Sequence, residues 1–218
     1  MNIPEIYKSN LLADLDNLGE QDVWKLRGNV QVLKNYIIQN STHKDEAILK
    51  TIDELLRVSN DLYKFLSTIK GCVSSADYNK LARLLNTSGD AVLAIEEITT
   101  AEDFNIFDLI MSGLSLILTY VGNTAYITSA LESCETQVMA NSITVYDRLW
   151  NIVHTYNTNA SPQDILKINQ SLDIFFKKLS NRDIILTERI TIITRLYQFF
   201  CMIYLAGILR NINWVKGA

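Results

Sequence analysis

Side chains that transfer protons near neutral pH are scarce in this chain. Two histidines occur, His43 and His154. An imidazole is the side chain best suited to general acid–base work at that pH. His43 lies in the polar stretch STHKDE and is expected between helices, facing solvent. His154 lies in YDRLWNIVHTYN, with Arg148 six residues before it and Tyr156 two residues after it. Carboxylates come in neighbouring pairs, Asp45/Glu46 and Glu96/Glu97. Neighbours on a helix point about 100° apart, so such pairs do not readily share a proton or a metal. Cys72, Cys134 and Cys201 are isolated, with none of the close spacings of a zinc site. Glycine loops for phosphate, GxSxG, HExxH and calcium-binding loops are absent from the sequence. Neither a cofactor nor a metal is therefore expected.

The pattern Arg148-x5-His154-x-Tyr156 resembles the signature of HEPN ribonucleases, all-helical domains that carry an Arg, a short spacer and then a His. In one branch of that family a Tyr follows two residues after the His. The resemblance implies that Arg148 would bind or stabilise a scissile phosphate. His154 would exchange a proton with ribose oxygens, and Tyr156 would assist. A plain structural reading stands beside it. His154 sits near a helix C-terminus, where the dipole favours a cation, and Arg148 pairs with a nearby acid.

The elements that position these residues read as helices throughout. Only two prolines and eight glycines interrupt 218 residues, which favours long helices over a many-turned β fold. Ile6, Leu11, Leu15 and Leu18 predict a short first helix. Val23, Leu26, Val30, Leu33 and Ile37 form one stripe of a second. Thr42 with Asp45 suggests the start of a long third helix, with Ile48, Ile52, Leu55, Leu62, Phe65 and Ile69 inward and a stop at Gly71. Ser75, Thr87 and Thr100 are the next candidate N-caps. A helix is expected from about Thr124 toward Tyr156. Ser161 before Pro162, with Asp164 three residues on, marks another start. Its apolar face comprises Ile165, Ile168, Leu172, Phe175, Phe176 and Leu179. The β-branched run ILTERITIITR is read as helix, because a single strand would have no partner.

Charge and hydropathy are unevenly placed. The net charge of −4 gives no general attraction to nucleic acid or anionic lipid. No Lys or Arg occurs from Leu84 to Asp147, and no charge of either sign from Leu109 to Leu131. Bases prevail from Arg148 onward, and they face acids of the same molecule, solvent, or an acidic partner. The uncharged stretch is long enough to span a bilayer, which takes roughly 20 apolar residues. It is diluted by Ser, Thr, Gly and Asn, which favours a helix buried inside a bundle. LYQFFCMIYLAGIL is a second nearly all-apolar run. FFKKLSNR, from Phe175 to Arg182, mixes aromatics and bases, but its aromatics sit at core-periodic positions.

These readings predict an all-α protein, residues 1–218 forming a single compact bundle of about eight or nine helices around the two apolar runs. A hydrophobic fraction of 48% is ordinary for a globular chain. Scattered cysteines suit a reducing compartment, and the opening MNIPEIYKSN carries no secretory or lipidation pattern, so a cytoplasmic location is expected. With no catalytic constellation, the leading expectation is a non-enzymatic interaction protein that binds a protein partner or forms a homo-oligomer through a helix face. A metal-independent, HEPN-like ribonuclease that engages RNA through Arg148, His154 and Tyr156 is the alternative. A protein that releases its uncharged helix into a membrane is the third reading.

Overall fold

The computed structural model describes residues 20–40, 46–85, 131–156, 161–181 and 186–214. Among these residues there are six α-helices, one 3-10 turn and no strand. The helices are α1 (Glu20–Asn40), α2 (Glu46–Cys72), α3 (Ser75–Leu85), α4 (Glu135–Tyr156), α5 (Pro162–Ser180) and α6 (Leu186–Trp214). The turn, Glu132–Cys134, leads directly into α4. The protein is all-helical in this part, as expected. The expected helix over Ile6–Leu18, the Thr42, Thr87 and Thr100 starts and the stretch 109–130 lie outside the described residues.

The amphipathic stripes fold as their spacing predicts. Val23, Leu26, Val30, Leu33 and Ile37 of α1 are buried, as are Ile48, Ile52, Leu55, Leu62, Phe65 and Ile69 of α2. Each side chain of this kind contributes roughly 1.5–3 kcal/mol when removed from water, which is why the stripe decides the orientation of its helix. Buried apolar side chains from all six helices join in one continuous cluster.

Helix α2 is the centre of the packing, lying most extensively against α4 and α1. The α1–α2 pair is antiparallel. Glu20 meets Ser67, Trp24 meets Tyr63 and Lys34 meets Asp53, so residue numbers rise along one helix as they fall along the other. Helix α4 then bridges α2, α6 and α5.

Helix α6 is wrapped on all sides. From Arg189 to Cys201 every residue except Arg195 and Phe199 is buried. Consecutive positions are about 100° apart, so burial extends round the whole circumference. An all-apolar run with no stripe is the sequence mark of such a helix. Its hydroxyls are satisfied internally: the Thr194 hydroxyl donates to the Ile190 carbonyl at 2.7 Å. Tyr197 lies 2.8 Å from the Ser59 hydroxyl, which itself donates to the Leu55 carbonyl. Ser59 has one proton to give, so Tyr197 is the donor between them. The β-branched run is helical from Leu186 onward.

Three boundaries differ from expectation. Helix α2 runs one residue past Gly71, which takes no left-handed conformation there. The cap of α3 is Ser74, not Ser75: its hydroxyl accepts the Asp77 backbone N–H at 3.1 Å and donates to the Asp77 carboxylate at 2.9 Å. The helix expected from Thr124 toward Tyr156 has a 3-10 turn at Glu132–Cys134, and its part before Leu131 lies outside the described residues. The start of α5 is as predicted. Ser161 has extended backbone, accepts from the Asp164 N–H, and is followed by Pro162 in the first turn.

Candidate interaction surface

The outer face of α1 is the most distinctive surface among the described residues. Trp24 follows the buried Val23, so its position is turned about 100° off the core stripe. It is 46% exposed, unusually open for the largest apolar side chain. Its ring packs on Tyr63 of α2, with centroids 4.8 Å apart and planes at 43°. Arg27, one turn along α1, holds its guanidinium 4.8 Å above the Trp24 ring centroid. The face of an indole is electron-rich, so the cation is attracted and the indole is held in place. Trp24, Arg27 and Tyr63 thus form one braced cluster from two helices.

Beyond Arg27 the same face lacks exposed charge. From Gly28 to Asn40 the sequence carries a single charged residue, Lys34. That ammonium is bound to Asp53 of α2 at 2.5 Å. What remains outward is Gln31, whose amide donates to Asn35 at 3.1 Å, together with Val32 and Ile38, both exposed. An amphipathic helix with solvent on its outer side ordinarily carries charges there.

At the N-terminal end of α1 a polar knot joins three helices. The Glu20 carboxylate accepts from Ser67 at 3.1 Å and pairs with Lys70 at 3.0 Å, and the Glu20 backbone N–H donates to the Tyr78 hydroxyl. Burial is the first cause that lifts the Tyr78 phenol above its ordinary range. The knot fixes where α1 begins, and so the angle at which Trp24 is presented.

The residues of the ribonuclease pattern lie on one unbroken helix. Arg148 is half-buried on α4, and its Nε is 3.0 Å from the Asp61 carboxylate of α2. The acid partner anticipated for Arg148 is therefore Asp61. Positions 148 and 154 are six residues apart on α4, about 120° round the axis and about 9 Å along it. Position 156, the last of α4, lies about 80° from position 148.

Among the described residues, most bases of the C-terminal half engage their own molecule. Lys177 pairs with Asp173 at 2.9 Å and Lys178 with Glu188 at 3.3 Å. Arg189, 1% exposed, is a helix cap. Its guanidinium donates to the Leu179 carbonyl and, at 2.9 Å, to that of Asn181, closing the C-terminal end of α5. Burial lowers its pKa from the ordinary value, while the charge of Glu135 acts in the opposite sense. Of the two neighbouring aromatics on α5, Phe175 is buried as expected. Phe176 is exposed and lies against the Tyr146 ring at 5.6 Å. Leu166, Ile174 and Trp150 are also exposed, but at separate places on α5 and α4.

Among the described residues no three His, Cys, Asp or Glu side chains come together to hold a metal ion. No described helix is long and apolar enough to cross a membrane, and residues 109–130 lie outside that set. No known family model, curated protein or solved structure matches the chain.

Trp24 stands one position off the α1 stripe, and the structure puts it at the rim of the core. Arg27 and Tyr63 carried no separate signal. Arg27 stands three residues after Trp24, on the neighbouring turn, and that spacing alone would have suggested the contact.

Proposed function

We propose that this chain is a non-enzymatic helical interaction protein of the cytoplasm. It docks a protein partner, or a second copy of itself, on the outer face of α1. One observation carries the reading: an exposed Trp braced by a Tyr and an Arg, continuing into a face without exposed charge. Trp, Tyr and Arg are the residue types most enriched among those that dominate binding energy, and charge depletion marks the centre of interfaces. Bracing also lowers the entropy lost when a partner immobilises the indole.

Docking would cover Trp24 first, with Val32 and Ile38 extending the contact along about four turns. Arg27 would keep its place over the indole and offer its remaining N–H groups to acceptors of the partner.

Sedimentation velocity over a wide concentration range tests the reading, followed by affinity capture with the intact protein as bait. Concentration-dependent self-association, or a captured protein, should disappear for Trp24→Glu with helicity unchanged. A monomer at every concentration whose captured proteins are identical with and without Trp24→Glu overturns it.

A further inference from the structure

Two of the three cysteines meet at one end of the α2–α4 pair. Cys72 is the last residue of α2, and Cys134 is the last residue of the 3-10 turn before α4. The Asp61–Arg148 ion pair sets the register of these two helices. Eleven residues from Asp61 toward the end of α2 lead to Cys72. Fourteen residues back from Arg148 lead to Cys134. These steps cover about 16 and 21 Å of helix, so an antiparallel pair brings both ends to the same level. Contacts agree: the turn packs against α2, Cys72 packs on the apolar cluster to which Cys134 belongs, and the Cys72 thiol is near enough to act on that of Cys134.

The two sulfurs are not equivalent. Cys72 is half-buried and reachable from solvent, whereas Cys134 is fully buried. Burial first, and the Cys72 thiol second, push the Cys134 thiol up to about 12, so that it holds its proton. Cys201 stands apart on α6: it is buried there, its thiol is also raised to about 12 by burial, and its polar neighbour is Tyr197.

We infer that Cys72 and Cys134 form a redox clasp that closes to an intramolecular disulfide when a low-molecular-weight disulfide is present as oxidant. The Cys72 thiolate attacks one sulfur of the oxidant, forms a mixed disulfide and releases one small thiolate. The released small thiolate takes the proton from Cys134, and the Cys134 thiolate then attacks the Cys72 sulfur and expels the second small thiolate. Two protein thiols are oxidised by two electrons, and one external disulfide is reduced to two thiols. The open route to Cys72 and the contact with Cys134 divide the roles into entry and resolving sulfur. Closure would join the end of α2 to the start of α4. It would enclose residues 73–133, which include α3 and the uncharged stretch Leu109–Leu131, in one covalent loop.

The test is incubation of the folded, full-length protein with oxidised glutathione, followed by trapping of remaining thiols and peptide mapping without reductant. The expected product is a single cross-link between the Cys72 and Cys134 peptides, with Cys201 alkylated only after unfolding. Cys134→Ser should instead retain glutathione on Cys72, and Cys72→Ser should take up none. Should Cys134→Ser fail to fold, the native map and Cys72→Ser decide alone. A native map with no Cys72–Cys134 cross-link overturns the clasp, whether Cys72 stays free or stops at the mixed disulfide. A cross-link that involves Cys201, or that forms only in denaturant, overturns it equally.

Discussion

Arg148 of α4 and Asp61 of α2 lie 3.0 Å apart across the most extensive helix contact of the molecule. Both side chains keep partial access to water, with 39% and 19% of their surface exposed. The pair therefore serves register more than stability. Partly screened ion pairs contribute little, typically about 0.2–1 kcal/mol. A double-mutant cycle of Arg148→Ala and Asp61→Ala in urea should give a coupling energy in that range, shrinking at high salt. A coupling above about 3 kcal/mol would mean that the pair is dry.

The same guanidinium belongs to the ribonuclease pattern, and its engagement with Asp61 bears on that alternative. The intact protein should leave single-stranded RNA uncut in the presence of a chelator. A ribonuclease deprived of its proton-transfer His loses roughly two to four decades of rate. Cleavage that is lost in both Arg148→Ala and His154→Ala, with folding intact, would establish the enzyme in place of the interaction protein.

Arg189 should be among the costliest residues to remove. Truncation leaves the Leu179 carbonyl without its donor in a buried place and removes the bond to the Asn181 carbonyl. An unsatisfied buried group costs about 1–3 kcal/mol, and the space left by the side chain adds to it. Arg189→Ala should lower stability by about 3 kcal/mol or more, read from the urea midpoint. Arg189→Lys should recover only part of this, since an ammonium lacks the fork that reaches two carbonyls. A loss below 1 kcal/mol in Arg189→Ala would contradict the capping role.

Alkaline stability should fall steeply. Burial, then the charges of Asp173 and Asp147, push the Tyr146 phenol up to about 12 from an ordinary value near 10. The folded pKa is raised, so the folded form is favoured below pH 10. That advantage is lost as pH rises from 10 through 12, because the unfolded chain ionises first. For Tyr146 alone it amounts to about 2–3 kcal/mol by pH 12. Tyr146→Phe should flatten this part of the curve, at the cost of the hydrogen bond to the Leu172 carbonyl. An unchanged slope between pH 10 and 12 in Tyr146→Phe would show that other groups govern it.

Patterns that repeat along one helix were legible in the sequence. The five-residue stripe of α1 and the Ser161-Pro162 start of α5 depend on neighbours within a few residues, and both formed as read. Helix α6 was recognised by the absence of a stripe. Contacts between helices were not legible. That Arg148 needs an acid follows from chemistry, but that the acid is Asp61 follows only from the α2–α4 register. The burial of Arg189 depends on carbonyls at the end of a different helix, which charge patterning along the chain does not show. Phe176 was misplaced because it stands beside Phe175, about 100° further round the helix, where the core has ended. The candidate site was hidden for the same reason: Trp24 stands beside the α1 stripe, while the Tyr63 that braces it comes from another helix.

The most direct test of the account is the affinity of the native protein for its partner, or for itself, compared with that of Trp24→Ala by titration calorimetry. Trp24 is half-exposed, so its removal should leave the helical spectrum and the unfolding midpoint nearly unchanged. Truncating a residue at the centre of an interface costs about 2 kcal/mol or more, which is roughly a 30-fold weaker complex. Leu166→Ala, also exposed but on α5, should bind as the native protein does. Binding that is unaffected by Trp24→Ala, or weakened as much by Leu166→Ala, would contradict docking on the outer face of α1.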